Sequence, residues 1–294
     1  MAATESVSFR SNGFKLVGKL FLPDSGYGAP AVIVGHGAGH FKESYFELAE
    51  YLAGRGIAAF AFDLCGHGES EGPRFHVSIK QWVADIRAAV DFLSKHPRVD
   101  SARIGAFGIS SSGTAILEAA LTEPRLRALV TSGATVRNSL PLYMTLILKT
   151  LICLGKIKRA LTGKDLRVPL AKMGPLHLAS DPEINAKLVN DPKTIEALMA
   201  FPFPGAAEAF FVDTIKRVPE IKIPTLVIWG EDDQLDPPET AKLLFAALTC
   251  KKRLEIIPGN GHAGHVDRHK DKVFALTAEW IFENLPAAAR AAAA

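Results

Sequence analysis

Cysteine is scarce in this chain. Cys65, Cys153 and Cys250 are the only three among 294 residues, they lie far apart, and none sits in a CxxC pair. That argues against a disulfide framework and a zinc site and fits a reducing compartment. Charge imbalance is also lacking. Lys and Arg number 34 against 31 Asp and Glu, a net +3, too small and dispersed to suggest nucleic acid without a basic stripe or a reading motif. The opening MAATESVSFR has neither the basic nor the apolar region of a secretory signal, so a cytoplasmic location is expected. The most apolar run, Leu140 to Leu154, contains Pro141 and Lys149 and falls short of the ~20 residues of a membrane-spanning helix. It could touch a membrane surface but not cross one. No internal repeat of fixed period occurs.

What is present is ample core material. The chain is 48% hydrophobic and 22% charged, which excludes global disorder, and one large α/β domain with an insertion can hold this length. ESVSFRSNGFKLVGKLFL (5–22) alternates around Asn12-Gly13 and predicts an antiparallel hairpin. AVIVGHG (31–37) is a continuous apolar run ended by glycines, as expected of a strand buried on both faces, and helical spacing follows in SYFELAEYLAGRG. The unit recurs at 57–64 with a helix from 78 to 95, at 102–109 with a helix from 113 to 121, and at 126–134. It returns at 224–230 with a helix over 238–248, and at 253–259 with a helix over 268–284. Such alternation predicts a mostly parallel twisted sheet with helices on both faces.

Between Arg137 and Asp213 the alternation stops, which divides the chain into a core over 1–136, an insertion over 137–215, a core over 216–286 and an alanine-rich tail over 287–294. Residues 137–172 carry eight basic side chains against Asp165 alone. Apolar residues at 144, 147, 148, 151 and 154 predict a basic amphipathic lid helix. The plainer alternative is a helix docked on its own core with a solvated lysine face.

Ligands of such sheets bind beyond the carboxyl ends of the strands. After the strand at 102–109 comes Gly108-Ile109-Ser110-Ser111-Ser112-Gly113, nearly the G-x-S-x-G turn that projects a serine hydroxyl from a strained strand-to-helix corner. Ser110 is the candidate nucleophile, with Ser111 and Ser112 as outsiders. A serine hydroxyl needs an imidazole to take its proton, and the imidazole needs a carboxylate to fix its tautomer. Both types follow later strands in the expected order: Asp233, with Asp232 and Asp236 as runners-up, then His262. The Gly-rich turn His36-Gly37-Ala38-Gly39 can aim backbone amides, so Ala38 and Ser111 are the candidate oxyanion donors. His262, His265 and His269 also have metal-like spacing, but surface histidines at a helix start are a sufficient explanation. Gly35-x-Gly37-x-x-His40 lacks the third glycine of a dinucleotide fingerprint. Cys65 reads as a packed thiol and His67 as a residue that orders its loop.

On these residues the chain resembles the α/β-hydrolases from about Ser6 to Leu285. HGAGHFKESYFELAEYLAGRG, FDLCGHGESEGPR and SDPEINAKLVNDP are similar to the monoacylglycerol lipase, lysophospholipase and serine aminopeptidase-like branch. HPRVDSARIGAFGISSSG looks equally like the dienelactone-hydrolase-related and acyl-peptidase branches. The resemblance implies an α/β-hydrolase fold, with a mostly parallel eight-stranded sheet and a helical cap inserted after the sixth strand. It also implies a nucleophile at Ser110, an acid at Asp233, a base at His262 and oxyanion amides at Ala38 and Ser111, with no cofactor or metal. The expected activity is hydrolysis of a small acyl ester, of medium or long chain. Thioester hydrolysis, carbon–carbon bond hydrolysis and acyl transfer share the apparatus. A non-catalytic binding module on the same scaffold is the alternative of another class, and an aminopeptidase would need Glu183 or Glu196 to hold the substrate ammonium.

Overall fold

The computed structural model describes residues 3–24, 28–172 and 174–286, so the expected tail at 287–294 lies outside the described residues. The chain opens with β1 (Ala3–Ser11) and β2 (Phe14–Leu22), paired antiparallel. Asn12 and Gly13 between them take φ of 47° and 89°, the left-handed pair that matches the twist of a tight hairpin. β3 (Ala29–Gly35), α1 (Phe46–Gly54), β4 (Ala58–Phe62), α2 (Ile79–Ser94), β5 (Val99–Ile109), α3 (Ser111–Ala120) and β6 (Leu126–Ser132) follow. After the insertion come β9 (Thr225–Gly230), α7 (Pro238–Ala247), β10 (Lys252–Ile257) and α8 (Lys270–Asn284). The eight strands order as β1-β2-β4-β3-β5-β6-β9-β10. Pairings from β4 to β10 are parallel, and β2 joins β4 antiparallel.

The period-two alternation of a strand sends its side chains to two separate cores. Ile33, Phe60, Phe62 and Ala106 pack with Trp82 of α2, Ile116 of α3 and Leu244 of α7. Val32, Val34, Ala59, Ala61 and Phe107 pack with Leu48 and Leu52 of α1 and Phe274 and Ile281 of α8. The central strands are buried on both faces, which is why they read as unbroken apolar runs.

The segment between β6 and β9 holds α4 (Leu142–Thr162), β7 (Leu166–Val168), α5 (Pro182–Val189), α6 (Pro192–Met199) and β8 (Phe201–Phe203), with β7 and β8 forming a small antiparallel pair. Asp181 and Asp191 accept hydrogen bonds from the first-turn amides of α5 and α6, and a proline follows each, a favourable helix start. The segment joins the core of the sheet domain through Leu148, Phe201, Phe203 and Ala206, and polar ties add to this packing: Glu208 accepts the Ile79 amide and Asp165 meets His76. Helix α4 differs from expectation. Of the five apolar positions assigned to its inner face, Leu148 is buried, whereas Ile147 and Leu154 are 42% and 51% exposed. Thr145 and Gly155 are buried instead, and a Cβ at Gly155 would lie 2.4 Å from the Phe203 carbonyl oxygen. The helix is apolar around most of its circumference, so periodicity alone could not choose the docked side. Among the described residues no helix is long and apolar enough to cross a membrane.

Candidate active site

The loop after β5 turns sharply into a helix. Ser110 has φ 52° and ψ −126°, and α3 begins with the next residue. A non-glycine residue held there stores strain of order 1–3 kcal/mol, which the surrounding packing must offset. Its side chain caps nothing; the residue lines a cavity instead. Gly108 is required, since a Cβ there would lie 2.6 Å from the Ser112 carbonyl oxygen. At 112, where the turn motif has glycine, the serine hydroxyl accepts the Ile109 amide and donates to the Ile109 carbonyl, each at 2.9 Å. Space for it comes from the neighbouring strand, because a Cβ on Gly35 would stand 3.0 Å from the Ser112 Cβ. Gly35→Ala is therefore expected to cost about 1–3 kcal/mol through overpacking. Ser112→Gly in the same chain should restore much of that loss, as thermal denaturation of the single and double variants would show.

His262 follows β10 and Asp233 follows β9. His262 Nδ1 lies 2.8 Å from Asp233 Oδ2, with both residues buried. The other carboxylate oxygen accepts the amides of Leu235 and Asp236 at 2.9 Å each, so the acid is fixed on both sides. Burial works to lower the His262 pKa, but the charge and hydrogen bond of Asp233, with the charge of Asp236, raise it to about 9. No hydrogen bond joins Ser110 to His262 in this structure; the two meet as walls of one cavity. Catalytic contacts of this kind tighten in the substrate complex. Asp232 is exposed and accepts the Ser180 hydroxyl, whereas Asp236 is buried beside the cavity.

The oxyanion candidates come from opposite sides of Ser110. Ala38 and Ser111 both line the cavity, and neither amide has a hydrogen-bond partner among the described residues. A Cβ on Gly37 would sit 3.4 Å from that of Ser110, so the β3 loop lies against the candidate nucleophile. The loop is held by three side chains. The Tyr45 hydroxyl accepts the Gly37 amide, and His67 Nε2 approaches the Ala38 carbonyl at 3.0 Å. Burial lowers the His36 pKa; its neutral ring accepts the Leu64 amide through Nε2 and donates through Nδ1 to the Gly37 carbonyl at 2.8 Å.

The cavity has a volume of about 210 Å³ and is walled mainly by apolar side chains, among them Leu140, Leu170, Leu178, Leu198, Phe201 and Phe210 from the insertion. Glu183 and Glu196 do not line it, and Glu196 pairs with Arg74 at 3.4 Å, so neither glutamate stands where a substrate ammonium would need it. Of the spaced histidines, His262 meets Asp233, while His265 is stacked on Tyr45 with ring centroids 4.2 Å apart. His269 donates its amide to Asn260. Cys65 is buried, and its thiol is pushed up to about 12 by burial and then by Asp85, which leaves it an unreactive packed group.

Sequence reasoning missed two positioning residues. Gly133, at φ 52°, is where a Cβ would fall 3.1 Å from His262 Nδ1 and 3.3 Å from Asp233 Oδ2; its one signal was a glycine ending a strand. Asp267 accepts the amides of Gly261, Ser180, Asp181 and Arg268, tying the His262 loop to the insertion. An acidic residue in a histidine-rich run gave no hint of that.

The sheet order and the strained strand-to-helix serine define an α/β-hydrolase. The chain belongs to the family described as serine aminopeptidase, S33, whose model matches residues 29–269. It is 27% identical over 252 residues to the quorum-quenching protein AidA of Acinetobacter baumannii, covering 80% of each chain. It is also 24% identical to the monoacylglycerol lipase of Mycolicibacterium smegmatis, over 93% of this chain and 95% of that one. The crystal structure of the Paleococcus ferrophilus monoacylglycerol lipase superposes with a TM-score of 0.70 at 26% identity, over 88% of this chain and 97% of that one. These likenesses place the protein among hydrolases of the monoacylglycerol lipase-like branch.

Proposed function

We propose that the protein is a serine hydrolase of carboxylic esters with Ser110 as nucleophile, His262 as base and Asp233 as acid. The observation that carries this reading is the buried His262–Asp233 pair, 2.8 Å apart, in a cavity whose wall includes the strained Ser110. His262 Nε2 takes the Ser110 proton as Oγ attacks the acyl carbon, and the carbonyl oxygen becomes an oxyanion held by the Ala38 and Ser111 amides. The proton then passes to the departing alcohol, leaving an acyl-Ser110 ester. Water, deprotonated by His262, attacks that ester and releases the acid, and Ser110 recovers its proton. Each amide contributes on the order of 3 kcal/mol to the barrier reduction, as removal of single donors in other hydrolases indicates. Residues 137–215 act as a helical cap over a core of 1–136 and 216–286, and their leucines and phenylalanines favour medium or long acyl chains.

A panel of esters, thioesters and peptides of graded acyl length, assayed on wild type and Ser110→Ala, tests this. Ester turnover that strengthens with acyl length and vanishes in the variant is expected. Thioester preference, or activity that falls as the chain lengthens, would redirect the substrate assignment. The outer face of α4 exposes Leu142, Tyr143, Leu146, Ile157 and Leu161 beside Lys149, Lys156 and Lys158, a pattern suited to an anionic lipid surface. Binding to phosphatidylglycerol vesicles that is weakened by Leu146→Asp with Ile157→Asp is expected; equal binding by both chains would contradict it.

A further inference from the structure

The cavity wall holds one buried acid that the proposed mechanism does not use. Asp236 is 6% exposed and shares that wall with Ser110 and His262. Its Oδ2 accepts the Thr135 hydroxyl at 2.9 Å, whereas no described residue hydrogen-bonds Oδ1. The backbone of Asp236 is pinned from two sides: its amide donates to Asp233, and its carbonyl accepts Trp229 Nε1 at 2.7 Å. Beyond the Thr135 hydrogen bond and its charge near His262, no structural duty accounts for the carboxyl group. It does not cap α7, which begins at Pro238 after Pro237 without a side-chain cap, and among the described residues it pairs with no Lys or Arg. Oδ1 is not among the enclosed unpaired polar atoms, so it is open to the mainly apolar cavity; a ligand that displaces solvent from it must supply a hydrogen bond or leave that oxygen unpaired at a cost.

We propose that Asp236, steadied by Thr135, is a specificity-determining residue that hydrogen-bonds a hydroxyl group on the substrate close to the scissile carbonyl. The inference rests on the ester-hydrolase reading. Burial, offset in part by His262 and by Thr135, and aided by the charge of Asp233, pushes the Asp236 carboxyl up to about 6, so the ionised form prevails at neutrality and the protonated form lies within reach just below it. A hydroxyl satisfies either form, donating to the carboxylate or accepting from the acid. An ammonium suits the ionised form alone and would enter past Arg137, which also lines the cavity. A bare carbonyl suits the protonated form alone. Recognition by a hydrogen bond at this depth rejects the analogue that lacks the partner, because the protein group is then left unpaired.

The hydroxyl can sit on the acyl or on the alcohol portion, and paired substrates separate the two. p-Nitrophenyl butyrate against the 2- and 3-hydroxybutyrates tests the acyl side, and propyl butyrate against the 3-hydroxypropyl ester tests the alcohol side. In wild type, kcat/KM is expected to favour the hydroxylated member of one pair by roughly 10-fold or more. Asp236→Val should abolish that ratio, Asp236→Asn should retain part of it, and Thr135→Val should weaken it. The ratio is taken within each variant, so a general loss of stability or rate cancels. No preference in wild type, or a preference that survives Asp236→Val, overturns the proposal. Reaction of the wild type with an alkyl fluorophosphonate separates the two readings: labelling at Ser110 without a hydroxyl preference sinks the subsite alone, and absence of labelling sinks the hydrolase reading and the subsite with it.

Discussion

Asp233→Asn is expected to lower kcat on the best ester by about 10⁴-fold, the scale seen when a triad acid is replaced by its amide. An asparagine at 233 can still meet His262, but its amide nitrogen can turn toward the ring and favour the wrong tautomer. The pH profile should change as well. With the His262 pKa at about 9, the imidazole is mostly protonated at neutrality, and the base form grows as pH rises. Wild-type kcat/KM should therefore climb through an apparent pKa near 9 and then level. Removing the Asp233 charge leaves burial as the leading influence, so in the variant the limb should move to lower pH under a far lower plateau. Stability follows the same linkage. The folded-state pKa lies above the ordinary value of 6.5, so the contribution of the ion pair is fully present below about 6.5 and is lost as pH rises through about 9. The stability gap between wild type and Asp233→Asn should accordingly narrow from pH 6.5 to 9, measured by denaturant titration.

Ser110→Ala is expected to cost still more, about 10⁶-fold in kcat, with little change in stability. The Ser110 side chain makes no capping bond, and alanine meets the same backbone strain at φ 52°. Adding Asp233→Asn to Ser110→Ala should cost little beyond the first loss, because residues that act as one unit are not additive. A double variant that fell by the product of the single effects would mean that the two residues act independently.

The sheet was legible because its strands are buried on both faces and so read as continuous apolar runs punctuated by glycine. The hairpin was legible because Asn12-Gly13 is one of few pairs that accept two left-handed residues in succession. The candidate site was legible for a topological reason: parallel strands deliver their following loops to one edge, so the serine run at 110–112, the acidic run at 231–236 and His262 could be grouped by chain order, while the choice of one serine and one acid within each run needed the turn motif and the resemblance. What stayed hidden depends on space between chain segments distant in sequence. The tolerance of serine at 112 comes from the missing side chain at Gly35, 77 positions earlier, and the importance of Gly133 comes from a pair of side chains more than 90 residues later. The docked side of α4 was hidden because leucine and isoleucine occupy nearly every face of that helix. Asp236 could be seen only as a rival to Asp233, since its place in the cavity wall beside Thr135, from the loop after the neighbouring strand β6, is set by the fold.

The most direct measurement is the site and rate of fluorophosphonate labelling, read by mass spectrometry of the digested protein. The account predicts a single phosphonylated peptide carrying the adduct on Ser110, formed far more slowly in His262→Ala and in Asp233→Asn. Labelling at Ser111 or Ser112, or at Ser110 with a rate indifferent to His262, would contradict it.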